Sequence, residues 1–353
     1  MNAISKRALK ERDKHIEDNV DEVEKTPETP SDSSELQDLL FQIKKEKYKL
    51  SDERTQVNAL IRRIAREDTI KEIAADFAER MNSKFILENT SPKQTISNAN
   101  QIATLLISDW HYGIEIHNHF NQFDTEIAKQ RIQKLQDEVI TLLKKEKIER
   151  LNILNLGDLI AGRIHLQLRL NSRIDVIDQV MQVAELLAEF IYNISRHVNW
   201  IDYYSTLDNH SRLEPNIKDA MDLESLVRII DWFLIPRLQN CNVTIHMNEF
   251  ADDIITFKIF DHKVAAVHGH KDKPNKIIDG LTTFTKNHVD LVCAAHYHHF
   301  SAEEKNDTVL ISNSSLMGTD DYATDLRLSA KPSQVLIIST KDNPVYNVYR
   351  IIL

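Results

Sequence analysis

Five short apolar runs in this chain end abruptly in aspartate, asparagine or histidine, and this limits the fold more than any other feature. The first, residues 103–107, has the length and composition of a buried strand. It is followed by Asp109 and His111. In extended chain, residues i and i+2 point to the same side, so a strand emptying into Asp-x-His is expected to present a carboxylate and an imidazole together. The layout recurs. Residues 151–156 lead to Gly157-Asp158, residues 200–206 to Asp208-Asn209-His210, residues 263–267 to His268-Gly269-His270, and residues 289–293 to His296-Tyr297-His298. Of the fifteen histidines only His15 precedes residue 100. Any one of these motifs alone is more often structural. Together they describe oxygen and nitrogen donors delivered to one rim of a rigid sheet, the geometry of a polar metal site.

Between these ends the pattern alternates strand and helix. Asp124 is a cap for a helix to about Lys147, with Ala128, Ile132, Leu135, Val139 and Leu142 facing inward. Residues 174–194 form an apolar-rich helix, and residues 217–238 are expected to be mostly helical. Residues 254–260 and 263–267 make a hairpin around Asp261-His262, and residues 309–312 and 334–339 are further strands. This mixture predicts an α/β layered domain over residues 98–353, two sheets flanked by helices.

Upstream, residues 1–33 are charged and contain Thr26-Pro27-Glu28-Thr29-Pro30, the composition of a disordered or frayed tail. Residues 34–97 form a helical extension. Leu36, Ile43, Leu50, Val57 and Ile64 recur every seventh position, and Leu40 and Ile61 fit the companion seam, which Lys47 and Arg54 interrupt. The stripe suits either packing on its own domain or a coiled coil that makes a homo-oligomer, a dimer, through these helices. Thr69-x-x-Glu72 resembles a capping box, which predicts a second helix with Ile70, Ile73, Phe77 and Met81 on one face. Asn89-Thr-Ser-Pro-Lys-Gln reads as a linker.

Composition removes several function classes. The formal net charge of -10 argues against a surface coated for sequence-blind nucleic-acid binding. With six glycines and no Gly-rich loop, a P-loop or dinucleotide fingerprint is absent. Cys241 and Cys293 stand far apart as ordinary reduced residues, which predicts a cytoplasmic protein. No apolar run approaches the ~20 residues of a membrane helix, so no membrane partner is expected.

The ordered series Asp-x-His, Gly-Asp, Asn-His, His-Gly and His-x-His resembles the calcineurin-like metallophosphoesterase superfamily, over about residue 102 to the C-terminus. Among its members the spread of motifs looks closest to DNA-repair exonuclease relatives, including those carried by tailed phages. The resemblance implies a four-layer αββα sandwich with a dinuclear metal site. It implies Asp109, His111 and His298 on one ion, Asn209, His268 and His296 on the other, Asp158 bridging them, and His210 as a catalytic histidine that is not a ligand. Donors of this kind without thiolate suit Mn²⁺ first, with Fe, Zn²⁺, Ni²⁺ and Co²⁺ as alternatives. Two such ions ~3.5–4 Å apart clamp the attacking and leaving oxygens of an in-line displacement, and a metal-bound water whose pKa falls from ~15.7 toward ~7 is the nucleophile.

The chain departs from the family pattern in three places. Asp208 stands where the family has Gly before Asn-His, Ser211 where it has an acid, and Ala295 where it has Gly before His-x-His. These departures bear on the orientation of His210 more than on metal binding, and Asp208 is itself a candidate for the orienting acid. Arg163 and His165 follow Asp158 and are candidates to touch substrate, the arginine by bidentate phosphate contact. His270 is open between replacing His268 as a ligand, lining the pocket and being solvated, with His268 favoured as the ligand because it directly follows the strand. Arg169, Arg173, the segment from Gly318 to Arg327 and the lysines 271, 273 and 276 are further rim candidates. The expected activity is metal-dependent phosphodiester hydrolysis, with nucleic acid as substrate and a nuclease acting on DNA as the specific form. Phosphomonoester or small-nucleotide hydrolysis uses the same chemistry, and an oligomeric scaffold with a vestigial metal site is the non-enzymatic alternative.

Overall fold

The computed structural model describes residues 33–83, 87, 99–164 and 166–353. Packing separates the chain into two units with the boundary between Glu67 and Asp68.

Helix α1, Ser33–Ser83, runs 51 residues without a break, about 77 Å at 1.5 Å per residue. The two-helix expectation is therefore corrected. No Gly or Pro occurs between Ser33 and Ser83, and Thr69 is preceded by Ala65-Arg66-Glu67-Asp68, which carries no turn signal. A single threonine costs a helix interior only a few tenths of a kcal/mol. The expected tail over residues 1–32 and the expected linker after Asn89 lie outside the described residues.

Among the described residues the larger unit has thirteen strands. In chain order they are β1 Gln101–Ile107, β2 Ile116–His117, β3 Gln122–Phe123, β4 Arg150–Asn155, β5 Trp200–Ser205, β6 Val243–Ile245, β7 Ile255–Ile259, β8 His262–Ala266, β9 Leu291–Ala294, β10 Ser301–Lys305, β11 Thr308–Ser312, β12 Ser333–Thr340 and β13 Asn347–Ile352. One six-stranded sheet has the order β13-β12-β1-β4-β5-β6 and a five-stranded sheet the order β10-β11-β9-β8-β7. Strands β1, β4, β5 and β6 are mutually parallel, as are β8, β9 and β11. The carboxyl ends of the parallel strands carry the polar motifs.

Period-two alternation assigns the layers. Ala103, Leu105 and Ile107 of β1 share a core with Leu151, Ile153, Ile201, Leu336 and Ile338 and with helix residues. Those helices are α2 Thr125–Lys145, α3 Val176–Ser195 and α4 Val227–Arg237. They contribute residues such as Leu135, Val139, Ala184, Leu187, Ile230 and Phe233. The intervening β1 residues Ile102 and Leu106 face the other way. They pack with Leu154, Val335 and Ile337 against Ile255, Ala266, Cys293 and Ile311 of the second sheet. The outer face of that sheet, with Ala265, Val292, Ala294 and Leu310, is closed by Ile277, Ile278 and Leu281 of helix α5, Ile277–Thr285. The order helices, sheet, sheet, helix is the αββα sandwich. A buried Leu or Ile here is worth about 1.5–3 kcal/mol, so the two sheets form a stiff platform for the loops at their rim.

Local signals explain the helix boundaries. Asp124 caps α2 by accepting from the amides of Glu126 and Ile127 at 2.9 and 2.8 Å, and Asp175 caps α3 the same way. The helix expected over residues 217–238 forms only from Val227. The stretch before it is tied instead to the segment after His210, by an antiparallel bridge between Arg212 and Ser225 and by the Leu226 amide donating to Ser211 O at 2.8 Å. Among the described residues no helix is long and apolar enough to cross a membrane. Cys241 and Cys293 are both free and buried.

Candidate metal centre

The strand ends continue to pair after the strands stop. Leu156 N donates to Ile107 O at 2.8 Å, Asp109 N to Gly157 O at 3.0 Å and His111 N to Asp158 O at 3.0 Å. On the second sheet Ala295 N donates to His268 O at 2.9 Å. These bonds hold the loops edge to edge across the mouth of the sandwich.

The loops are not extended. Asp109, His111, Asp158, His296 and His298 have φ of 52°, 45°, 52°, 72° and 59°, all in the left-handed region. The expectation that Asp-x-His pairs its side chains by strand alternation is thus corrected. Each pair converges because both members turn left-handed, a conformation to which Asp and His are several-fold better suited than most non-glycine residues. Five such residues at one rim is local strain of a kind that clusters at functional sites.

Two donor clusters result. In the first, His111 Nε2 and His298 Nε2 face each other at 3.2 Å, and Asp109 Oδ1 lies 3.3 Å from His298 Nε2 and 3.9 Å from His111 Nε2. In the second, His268 Nε2 is 2.9 Å from Asn209 Oδ1, 3.2 Å from Asp158 Oδ2 and 3.2 Å from His296 Nδ1. Asp158 Oδ2 is also 3.9 Å from His111 Nε2 and 3.8 Å from His210 Nε2. Asp158 Oδ1 accepts the His210 amide at 3.1 Å, so Oδ2 is the oxygen common to both clusters.

These donor sets fit divalent ions. His268 Nδ1 lies 2.6 Å from Leu156 O, which can only accept, so the neutral ring carries its proton there and presents a lone pair at Nε2. That lone pair points at Asn209 Oδ1, Asp158 Oδ2 and His296 Nδ1. Asp109 Oδ1 and Asp158 Oδ2 are buried and accept no hydrogen bond. Acceptors facing acceptors in a buried site require a cation. The groupings Asp109, His111, His298, then Asp158, His268, His296, and also His111, Asp158, His210, each have ligand atoms close enough to share one.

Electrostatics follow the same division. Burial works against charge on His268, but the carboxylates of Asp158, Asp109 and Asp208 outweigh it and push its pKa up to about 10. Burial, reinforced by the nearby His268, pushes His296 down to about 4 and His270 down to about 3. Burial and then His210 hold His111 well below the usual imidazole range. Burial favours protonated Asp158, yet His210 and His268 keep its carboxyl well below the usual range. The carboxylates thus favour positive charge at His268, while His111, His296 and His270 stay neutral. A divalent ion seated among them would take the place of the second proton on His268 and leave the neutral ring that a ligand needs.

The remaining sequence candidates divide. His210 Nδ1 meets Ala161 O at 2.8 Å, which turns Nε2 toward Asp158, and its ring packs edge-on to His111 with centroids 4.5 Å apart. Asp208 does not orient it. Its carboxylate accepts from the Asp158 amide at 2.9 Å and from the Ser211 amide and hydroxyl at 2.6 and 2.9 Å. The reason is steric. Gly157 has φ +92°, and a Cβ there would fall 2.5 Å from Asp208 Cβ, so Asp208 lies beneath the Gly-Asp loop rather than beside the imidazole. His270 lies beside the second cluster, its ring 5.4 Å from His268, with a buried Nδ1 that has no hydrogen-bond partner. The Arg163 Nε is likewise buried and unpartnered. His165 lies outside the described residues. Arg173 pairs with Glu115 at 2.6 Å, and Lys271 with Asp253 and Asp222 at 2.9 and 3.3 Å, so these two cations are neutralised locally. The segment beginning at Gly318 reaches the site through Asp320. Burial works against charge on His298, but Asp109 first and Asp320 after it outweigh that and raise its pKa.

Sequence reasoning misses the residues that support the ligands. Gln334, on β12 and fully buried, accepts from Ser108 N at 2.8 Å and donates to Ser108 O and Ser314 O at 3.2 and 2.6 Å. Arg131 of α2 donates to Leu316 O and Met317 O at 2.9 and 2.6 Å, and the amides of both residues donate to Asp109 O. The available signal is a glutamine among the apolar residues of β12.

No protein-family model matches the chain. The SPbeta prophage-derived uncharacterized protein YonJ of Bacillus subtilis (strain 168) is 25% identical over 321 residues, 87% of this chain and 79% of that protein. Among solved structures, an archaeal phosphodiesterase aligns at 16% identity and a TM-score of 0.37, covering 71% of this chain and 99% of the other. Vps29 of Entamoeba histolytica complexed with zinc aligns at 14% and 0.34, covering 71% and 98%. A predicted phosphoesterase of Streptococcus pneumoniae aligns at 10% and 0.31, covering 71% and 98%.

Proposed function

We propose that this chain is a metal-dependent phosphodiester hydrolase with a dinuclear centre, acting on nucleic acid as a nuclease. One observation carries the reading. A single buried oxygen, Asp158 Oδ2, accepts no hydrogen bond and lies within 3.9 Å of ring nitrogens of His111, His210 and His268. Asp109, His111 and His298 would hold one ion, Asn209, His268 and His296 the other, and Asp158 would serve both. Ions held there, Mn²⁺ first, would supply an activated water and offset charge on a transferring phosphoryl group.

The chain's own groups do the rest. Ala161 O accepts the Nδ1 proton of His210 and turns Nε2 toward the site, from where the cationic form of the ring would protonate the leaving oxygen, a contribution of typically 10²–10⁴ in rate. His270, whose ring lies 5.4 Å from His268, and Arg163 are the side chains proposed to contact a phosphate or base, each after a small movement that exposes its buried nitrogen. The second reading is a phosphomonoesterase or small-nucleotide phosphodiesterase. It is favoured by the net charge of -10 and by Asp320 near His298, which repels a long polyanion more than a small ester.

A substrate panel with Mn²⁺ throughout separates them. Linear duplex DNA, single-stranded DNA, cyclic nucleotides and p-nitrophenyl mono- and diesters are compared. Turnover of DNA with slower monoester cleavage is expected. Cleavage of monoesters alone refutes the nuclease, and two bound ions with no turnover of any ester indicate a scaffold.

A further inference from the structure

We infer that α1 pairs with a second copy of this chain as a parallel, in-register coiled coil, an interaction independent of the catalytic reading. Leu36, Ile43, Leu50, Val57 and Ile64 are each between 50% and 65% exposed, and Leu40 and Ile61 are exposed beside them. The stripe spans four heptads, long enough for a stable seam. Its spacing is strictly seven. A straight helix of 3.6 residues per turn drifts ~20° per heptad from such a repeat. Over four heptads the stripe would swing well away from any straight neighbour. A partner wound around it with the same supercoil stays in contact throughout.

Charge selects the occupant and its direction. The two cations that interrupt the seam, Lys47 and Arg54, are each preceded by an acid, Glu46 and Glu53. In a parallel in-register pair, the hole receiving a core side chain is walled partly by the partner residue just outside its own seam. Lys47 then lies beside the partner's Glu46 and Arg54 beside the partner's Glu53. The long stems of Lys47 and Arg54 cover the seam while their charges reach its edge. The antiparallel register that best matches apolar layers sets Leu36 against the partner's Ile61 and Leu40 against the partner's Val57. It also places Arg54 opposite Ile43, Lys47 opposite Leu50, and Glu46 beside the partner's Glu53. In the parallel pair Lys47 and Arg54 do face their own copies across the seam, and Glu46 also pairs with Lys49 of its own helix at 2.7 Å, but each seam cation has a partner glutamate beside it. In the antiparallel register the glutamates meet each other instead, and on this balance the parallel pairing is assigned.

The full chain tests this. Light scattering should give twice the chain mass of 40.9 kDa. Leu36→Cys should form a disulfide-linked dimer under mild oxidation, since Cys241 and Cys293 are buried and do not compete. A mixture of Leu36→Cys and Ile64→Cys chains should form no disulfide joining position 36 of one chain to position 64 of the other. The double variant E46K/E53K should weaken the dimer at least tenfold, and adding K47E/R54E in the same chain should restore it. Circular dichroism checks that each variant keeps its helix. A monomer at micromolar concentration, a trimer or tetramer, or a preferred disulfide between positions 36 and 64 would each overturn the inference.

Discussion

Asp208→Ala is the sharpest test of how the site is built. The carboxylate is buried and accepts from two backbone amides, those of Asp158 and Ser211, and from the Ser211 hydroxyl. The hydroxyl can rotate to another partner, but the amides cannot. Two buried donors left unpartnered cost about 1–3 kcal/mol each. Some of this is returned, because burial and then the nearby Asp158 charge already disfavour the ionised Asp208 and push its pKa up to about 6. A net loss of about 2–4 kcal/mol remains. At roughly 2–4 °C per kcal/mol for a domain of this size, Tm should fall by about 4–16 °C in calorimetry. The freed Asp158 amide also loosens the shared ligand, so metal affinity should drop about tenfold, as is typical when a group supporting a ligand is removed. A Tm within about 2 °C of the parent, with metal retained and only turnover reduced, would refute the supporting role. It would make Asp208 an orienting acid after all.

Three further outcomes are expected. His210→Ala should lower turnover by about 10²–10⁴ with metal content by mass spectrometry near normal, whereas Asp158→Ala should lose metal and activity together; equal metal loss in both contradicts the assignment. Gly162→Ala would place a Cβ 2.0 Å from His210 O at φ +71°, so the His210 loop must shift, and kcat should fall about 10²-fold while metal content persists; unchanged kcat would show that the loop yields without cost. Asp231 accepts from Ser205 and Tyr203, and burial pushes its pKa up to about 6 despite those bonds. A folded pKa above the unfolded value gives stability that is present below about pH 4 and lost as pH rises through about 6. Asp231→Asn should therefore gain in Tm relative to the parent between about pH 5 and about pH 8, and a constant difference would refute this.

Much of the architecture was legible because single side chains decide it. Asp124 announces α2 since its carboxylate answers two otherwise unpaired amides. The runs before Asp109 and Asp158 read as strands because buried parallel strands are apolar on both faces. Strand β10, Ser-Ala-Glu-Glu-Lys, was invisible, since an edge strand protects itself with charge. The donor residues were recognisable by type and order. The way they meet was not, because nothing in Asp109, His111, His296 or His298 as letters signals left-handed backbone. Nor could Asp208 be seen as a prop, since its contact with Gly157 depends on two strands coming together in space.

The left-handed backbone at Asp109, His111, Asp158, His296 and His298 also bears on how the molecule reaches its finished form. Each such residue resists its own preferred torsion angles by about 1 kcal/mol or more, and the sheets beneath supply the restraint. On the proposed reading the rim would assemble after the sandwich and would be the first region to relax on removal of bound ions. A chelator should leave hydrogen exchange slow in β1 and β4 while hastening it in the amides from Ser108 to Tyr112. On the proposed reading, cation uptake would then be the closing step of folding as well as the condition for chemistry.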